Sequence, residues 1–180
     1  MNKIHAAVIG VALSLVGVME GVRYTAYQDA AGVWTICNGV TAGVKRGDTA
    51  TPAYCKNALL RELVKHSKPF EKLPKQVPDN VQLAVLDWAY NTGIGGMEDR
   101  SVYKYLKLGN WKAACSGLLE WRKVKINDVL RDCSLQPWYR KCGGVYERRL
   151  LEYRICTSTA PIDSVLQQLG VPVQPDGGSL

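Results

Sequence analysis

Residues 4–19 form an apolar run, interrupted only by His5, Ser14 and the small Gly10 and Gly17, and the run ends on a carboxylate, Glu20. As a helix this segment is apolar on every face, so it is expected to be buried all round, in protein or in lipid. Its roughly 16 residues make about 24 Å of helix, short of the about 20 residues that comfortably cross a hydrocarbon core of about 30 Å. Beyond Glu20 the period changes. The stretches "YTAYQD" and "VWTICNG" are strand-like and separated by "AAG", which predicts a hairpin turning near Gly32 with Asp29 and Thr35 on facing arms. "DTATPAYCKNALLRELVKHSKPF" starts a helix with Thr51 as N-cap and Pro52 in the first helical position, and Leu59, Leu60 and Leu63 follow at helical spacing. "PDNVQLAVLDWAYNTG" predicts a second helix, opening near Asp79 and closing at Gly93. Shorter helices are expected over 102–108 and 111–121. "GGVYERRLLEYRIC" reads as the last main helix, with Val145, Leu150, Leu151 and Ile155 inward. Between them, residues 122–142 are basic and irregular, and with Cys133 and Cys142 they predict a stapled surface loop. The segment after Cys156 holds one helical turn or two before a tip rich in Pro and Gly.

Length and composition narrow the class. The 180 residues suit one compact domain with a terminal extension or two, and 47% apolar with 22% charged residues is an ordinary globular balance. A formal net charge of +7 concentrates polyanions at the surface, so nucleic acid, anionic lipid and anionic cell-wall polymer all qualify as partners. Six cysteines with no CxxC, and only His5 and His66 as histidines, lack the close ligand pairs of a zinc site. No metal or cofactor is expected. Scattered cysteines in even number fit disulfides formed in an oxidising compartment, with many pairings open.

The candidate chemistry lies at the end of the apolar run. Cleaving a glycosidic bond takes one carboxyl group that protonates the leaving oxygen and a second that activates water or attacks the sugar. A Glu closing an apolar helix is partly desolvated, which raises its pKa toward what a general acid requires. Asp29, beside the hairpin turn, is expected to be wetter and ionised, and Thr35 can hold a water with its hydroxyl. The same residues also have ordinary readings: Glu20 as a helix-end surface charge, Asp29 as a turn former and Thr35 as a β-branched strand residue.

The combination "EGVRYTAYQDAAGVWTICNGVT" resembles the active-site region of the phage lysozymes of glycoside hydrolase family 24. Three further stretches resemble that family in order. They are "QLAVLDWAYNTGIGGMEDRSVYKYL", with Asn91, Gly93 and Ser101, then "NWKAACSGLLEW", then "GGVYERRLLEYRIC", with Arg148, Arg149 and Glu152. The resemblance covers roughly residues 18–156. It implies an α+β fold, mainly α-helical and lysozyme-like, with a small β-hairpin subdomain, plus the N-terminal apolar helix. It implies Glu20 as general acid, Asp29 as the carboxylate acting on water or on the oxocarbenium-like sugar, and Thr35 as the positioner of that water. The substrate it implies is the β-1,4 bond between N-acetylmuramic acid and N-acetylglucosamine in peptidoglycan. One departure is Val40, where the family usually carries His before Thr41. The expected disulfides are Cys37 with Cys55, joining the hairpin to the next helix, Cys115 with Cys156, joining two late helices, and Cys133 with Cys142, closing the loop.

The N-terminus resembles the signal-anchor-release endolysins, whose first apolar helix tethers the protein to the inner membrane and later leaves it. That reading divides the chain into an anchor-like helix over 1–19, a catalytic domain over 20–156 with an insertion at about 122–142, and a tail over 157–180. With Lys3 and the terminal amine held in the cytoplasm, the domain beyond Glu20 faces the periplasm. A buried first helix of a soluble lysozyme and a cleaved signal peptide are the other readings of the segment. Trp34, Trp88, Trp111, Trp121 and Trp138 can stack on sugar rings, although aromatic residues at helical spacing are more often core. A monomeric lytic enzyme without nucleic acid is the expectation. The rival class is a membrane-tethered, non-catalytic basic module that binds wall glycan or nucleic acid.

Overall fold

A computed structural model describes residues 4–29, 32–95, 97–168, 170 and 171; Lys3, Ala30, Ala31 and the residues from 172 onward, on which parts of the sequence reading fall, lie outside them. In chain order the elements are α1 (Ala6–Glu20), β1 (Arg23–Gln28), β2 (Trp34–Cys37), α2 (Pro52–Ser67), α3 (Asp79–Thr92), α4 (Ser101–Leu108), α5 (Trp111–Leu118), β3 (Lys123–Ile126), β4 (Val129–Asp132), α6 (Tyr139–Thr157) and α7 (Ile162–Gln168). The fold is α+β and mainly helical, and each strand pair is a separate two-stranded antiparallel sheet. Helix α3 is the hub: α1, α2, α5 and α6 all pack on it. Residues 81–89 of α3 are consequently all buried.

The helix ends follow local chemistry. Thr51 Oγ1 accepts from the Tyr54 amide at 3.1 Å, and Pro52 starts α2 where its missing N–H costs nothing. Helix α3 ends at Gly93, whose φ of 76° suits a residue without Cβ. Arg100 then caps the freed carbonyls, donating to Gly93 O at 2.9 Å and Gly95 O at 3.0 Å while its guanidinium stacks on Trp121, 4.5 Å from the ring centre.

Three expectations change. Helix α1 is buried along one stripe only, Val8, Ala12, Leu15 and Val16, against α2 and α3. Its outward positions include Ala6, Ala7 and Gly10, small enough to face water at little cost, with Val18 the large exception. Among the described residues no helix is long and apolar enough to cross a membrane. Second, residues 122–142 are not an irregular loop. They contain the β3–β4 hairpin, whose two-residue turn, Asn127–Asp128, has positive φ at both positions, as a tight hairpin turn needs. Third, Ile155 does face inward on α6, but Val145, Leu150 and Leu151 are only half-buried, whereas Arg148, Arg149 and Glu152 are buried beside Ile155 and Cys156. These polar groups hold that position because they bond to one another and to Asp87 and Asn91.

All six cysteines are paired: Cys37–Cys55 ties β2 to α2, Cys115–Cys156 ties α5 to α6, and Cys133–Cys142 ties the end of β4 to the start of α6.

Candidate active site

Glu20 is the last residue of α1, and Gly21, with φ of 68°, turns the chain directly toward β1. The Glu20 side chain is 29% exposed, and its Oε1 accepts from Arg148 Nη1 at 2.5 Å. Arg148 is itself fixed by Asp87, donating from Nε to Oδ2 at 3.0 Å and from Nη2 to Oδ1 at 2.9 Å. Asp87 is completely buried. One edge of the guanidinium therefore clamps both oxygens of a buried carboxylate, and the remaining nitrogen reaches out to the carboxylate at the helix end. Burial works against the charge of Arg148, but Asp87 and Glu20 outweigh it and hold the pKa above the usual arginine value.

Behind this pair, Arg149 Nη2 donates to Asn91 Oδ1 at 2.9 Å and to Glu152 Oε1 at 2.6 Å. Burial, and then the charge of Asp87, push the Glu152 carboxyl well above the usual range despite its contact with Arg149. A pH dependence of stability follows. An unfolded Glu titrates near about 4.3, so at higher pH the unfolded chain releases a proton that folded Glu152 keeps. Its contribution to stability is largest below that pH and declines as the pH rises toward the folded pKa. Glu152→Gln keeps an acceptor for Arg149 and removes the titration. Thermal melts are expected to coincide with those of the native chain near about pH 4 and to lie higher near about pH 8.

The hairpin is docked on the same place. Asn38 Nδ2 donates to Gly21 O, and Tyr90 OH donates to Asn38 O at 3.1 Å. Burial pushes the Tyr90 hydroxyl up to about 12, with Glu20 and Glu62 adding to the effect, so it stays a donor. Along the hairpin, Tyr27 pairs with Thr35 and Gln28 with Trp34, and the backbone amide of Asp29 donates to Val33 O at 3.0 Å. Two-residue alternation then puts Asp29 and Thr35 on one face. Asp29 Oδ1 accepts from the Val33 amide at 2.9 Å. Thr35 is 3% exposed, and its hydroxyl donates to Val33 O at 3.0 Å, which leaves its oxygen lone pairs for accepting. Glu20 thus stands at the root of the hairpin, and Asp29 near its turn.

Val40 lines a cavity of ≈ 410 Å³ with Asn38, Glu62, His66 and Tyr90. His66 Nδ1 lies 3.8 Å from Glu62 Oε2 and Lys65 Nζ 3.3 Å from it, so Glu62 finds its basic partners on its own helix. Trp88 is fully buried, and Trp111 and Trp121 pack against the main core. Sequence reasoning missed Asp87, Asn38 and Tyr90. Asp87 had a signal, a single charge in the middle of the apolar run "LAVLDWAY", whereas Asn38 and Tyr90 had none.

Comparison with known proteins fits this geometry. A sequence model of the family described as phage lysozyme matches residues 17–136. The SAR-endolysin of Pseudomonas phage phiKMV is 38% identical over 133 residues, which cover 71% of this chain and 80% of that one. The SAR-endolysin of Bacteriophage PS119 is 31% identical over 134 residues, covering 67% of this chain and 79% of that one. Among solved structures, the endolysin from Escherichia coli O157:H7 phage FAHEc1 superposes with a TM-score of 0.71 at 23% identity, over 88% of this chain and 95% of that chain, a likeness of fold. A carboxylate at the end of the first helix, an adjoining hairpin with Asp29 and Thr35 on one face, and a matching family model over two thirds of the chain lead to one conclusion: the protein belongs to the phage lysozyme family.

Proposed function

We propose that the protein is an endolysin that hydrolyses the β-1,4 bond between N-acetylmuramic acid and N-acetylglucosamine in peptidoglycan and so lyses the host cell. The observation that carries this reading is the placement of Glu20, a partly exposed carboxyl group at the root of the hairpin, anchored from behind by the buried Arg148–Asp87 pair. Glu20 protonates the glycosidic oxygen, Asp29 acts on the attacking water or on the oxocarbenium-like sugar, and Thr35, through its free lone pairs, orients that water. A non-catalytic glycan-binding module would have no use for a carboxyl group held in this way.

Residues 1–19 serve first as an uncleaved inner-membrane anchor, with the N-terminus cytoplasmic and the domain over 20–156 periplasmic. Two properties support this. The segment is apolar throughout, yet α1 buries only one stripe of it in the folded domain. A helix whose outward residues, Val18 apart, include the small Ala6, Ala7 and Gly10 can pass from lipid into this seat. Since Glu20 is the last residue of α1, seating the helix is also what brings the carboxyl group to Arg148, so the tethered protein is inactive and the released monomer active.

Digestion of purified peptidoglycan tests the chemistry. Hydrolysis yields products with reducing muramic acid ends; products ending in anhydro-muramic acid would instead show a lytic transglycosylase using the same acid, and no products would return the chain to the binding class.

A further inference from the structure

The β3–β4 hairpin contributes none of the side chains named in the site described above, and its surface is unusual. Leu130 is 60% exposed, Leu135 59%, Val129 46% and Tyr139 39%, all within one short segment. The segment is tied together rather than loose. The Cys133–Cys142 disulfide closes it, the Cys133 amide donates to Arg122 O at 3.0 Å, and the Arg131 guanidinium lies 4.3 Å from the centre of the Trp138 ring, with Lys141 Nζ at 5.3 Å. Leu130 and Lys125 are cross-strand partners, so an exposed apolar side chain and an exposed cation stand side by side on one face of the sheet.

Charge points the same way. Residues 122–142 contain Arg122, Lys123, Lys125, Arg131, Arg140 and Lys141 against Asp128 and Asp132, six positive against two negative, or +4 of the chain's +7. Asp132 is already taken by Arg122 at 3.1 Å and by Ser134, so it does not neutralise the outer lysines. A purely polar polymer would use the cations but leave Leu130 and Leu135 in water. A lipid surface uses both: apolar side chains enter the acyl boundary, Trp and Tyr sit at headgroup depth, and Lys and Arg meet the phosphates.

We infer that the β3–β4 hairpin and the turn after it form a docking surface for an anionic phospholipid bilayer. The surface is separate from α1 and does not depend on that helix acting as an anchor. It holds the folded enzyme against a membrane face, which, on the proposed wall-degrading function, confines its search for the wall to a thin layer.

The test uses the purified full chain and sedimentation with vesicles, either phosphatidylglycerol mixed with phosphatidylcholine or phosphatidylcholine alone. The native chain is expected to bind the mixed vesicles and not the neutral ones. Lys123→Glu with Lys125→Glu, and separately Leu130→Ser with Leu135→Ser, are each expected to weaken binding by at least about tenfold, while clearing of permeabilised cells proceeds at the native rate and shows that the variants are folded. Quenching by bromine-labelled lipids supplies a second reading: the native chain should be quenched more than Trp138→Phe. Vesicle binding that survives both double substitutions, or equal quenching of the two proteins, would overturn the inference. So would binding of the native chain to purified peptidoglycan but not to anionic vesicles.

Discussion

Glu20→Gln is expected to slow the clearing of outer-membrane-permeabilised Gram-negative cells by about 10²- to 10⁴-fold, the range over which a positioned general acid contributes. The expectation follows from what Gln keeps and what it loses. Its amide oxygen still accepts from Arg148, and Arg148 still makes both of its bonds to Asp87. The Glu20 side chain is 29% exposed, so removing its charge strands little that water cannot solvate. The fold should therefore survive, with a melting curve close to that of the native chain. An amide, however, cannot give a proton to a departing sugar oxygen. Equal clearing by the native and substituted chains would move the acid elsewhere, and binding of the wall by both with cleavage by neither would restore the non-catalytic class.

How much of this was legible in the sequence depends on the kind of signal. Helices α2 and α3 were readable because their boundaries are made by local chemistry, Thr51 with Pro52 at one start and Gly93 at one end. The first hairpin was readable from its short strand-like stretches on either side of Gly32. The second was missed, although Val124 and Ile126 alternate with lysines and Asn127–Asp128 is a turn pair, because the basic composition and the cysteines that follow, Cys133 and Cys142, suggested a loop. Periodicity failed on α6 for a deeper reason. Hydrophobic spacing finds an inward face only when burial is driven by apolar area, and the α6 face is held by close polar contacts among Arg148, Arg149, Glu152 and Asp87. The 61-residue separation between Arg148 and Asp87 lies beyond any local pattern. At the site, Glu20, Asp29 and Thr35 became distinctive only as a combination resembling a family; taken singly, each had an ordinary reading.

Arg148→Ala is expected to cost about 3–5 kcal/mol, the usual penalty for breaking a buried ion pair from one side. In a chain of this size that corresponds to a melting temperature lower by about 6–20 °C. The cause is Asp87 rather than Arg148: the carboxylate is completely buried, and two nitrogens of that guanidinium donate to its two oxygens. Activity should fall as well, even at a temperature where the variant is folded, because Glu20 loses the group that fixes its carboxyl. The two effects can be separated. Replacing the pair together, Asp87→Leu with Arg148→Met, removes the stranded charge and substitutes apolar contact, a change that often leaves stability unharmed. Calorimetry on this double variant is expected to show most of the lost stability restored, while clearing of permeabilised cells stays slow because nothing holds Glu20. If activity returned together with stability, Arg148 would serve the core alone, and the hairpin's own contacts, Asn38 on Gly21 and Tyr90 on Asn38, would be enough to place the acid.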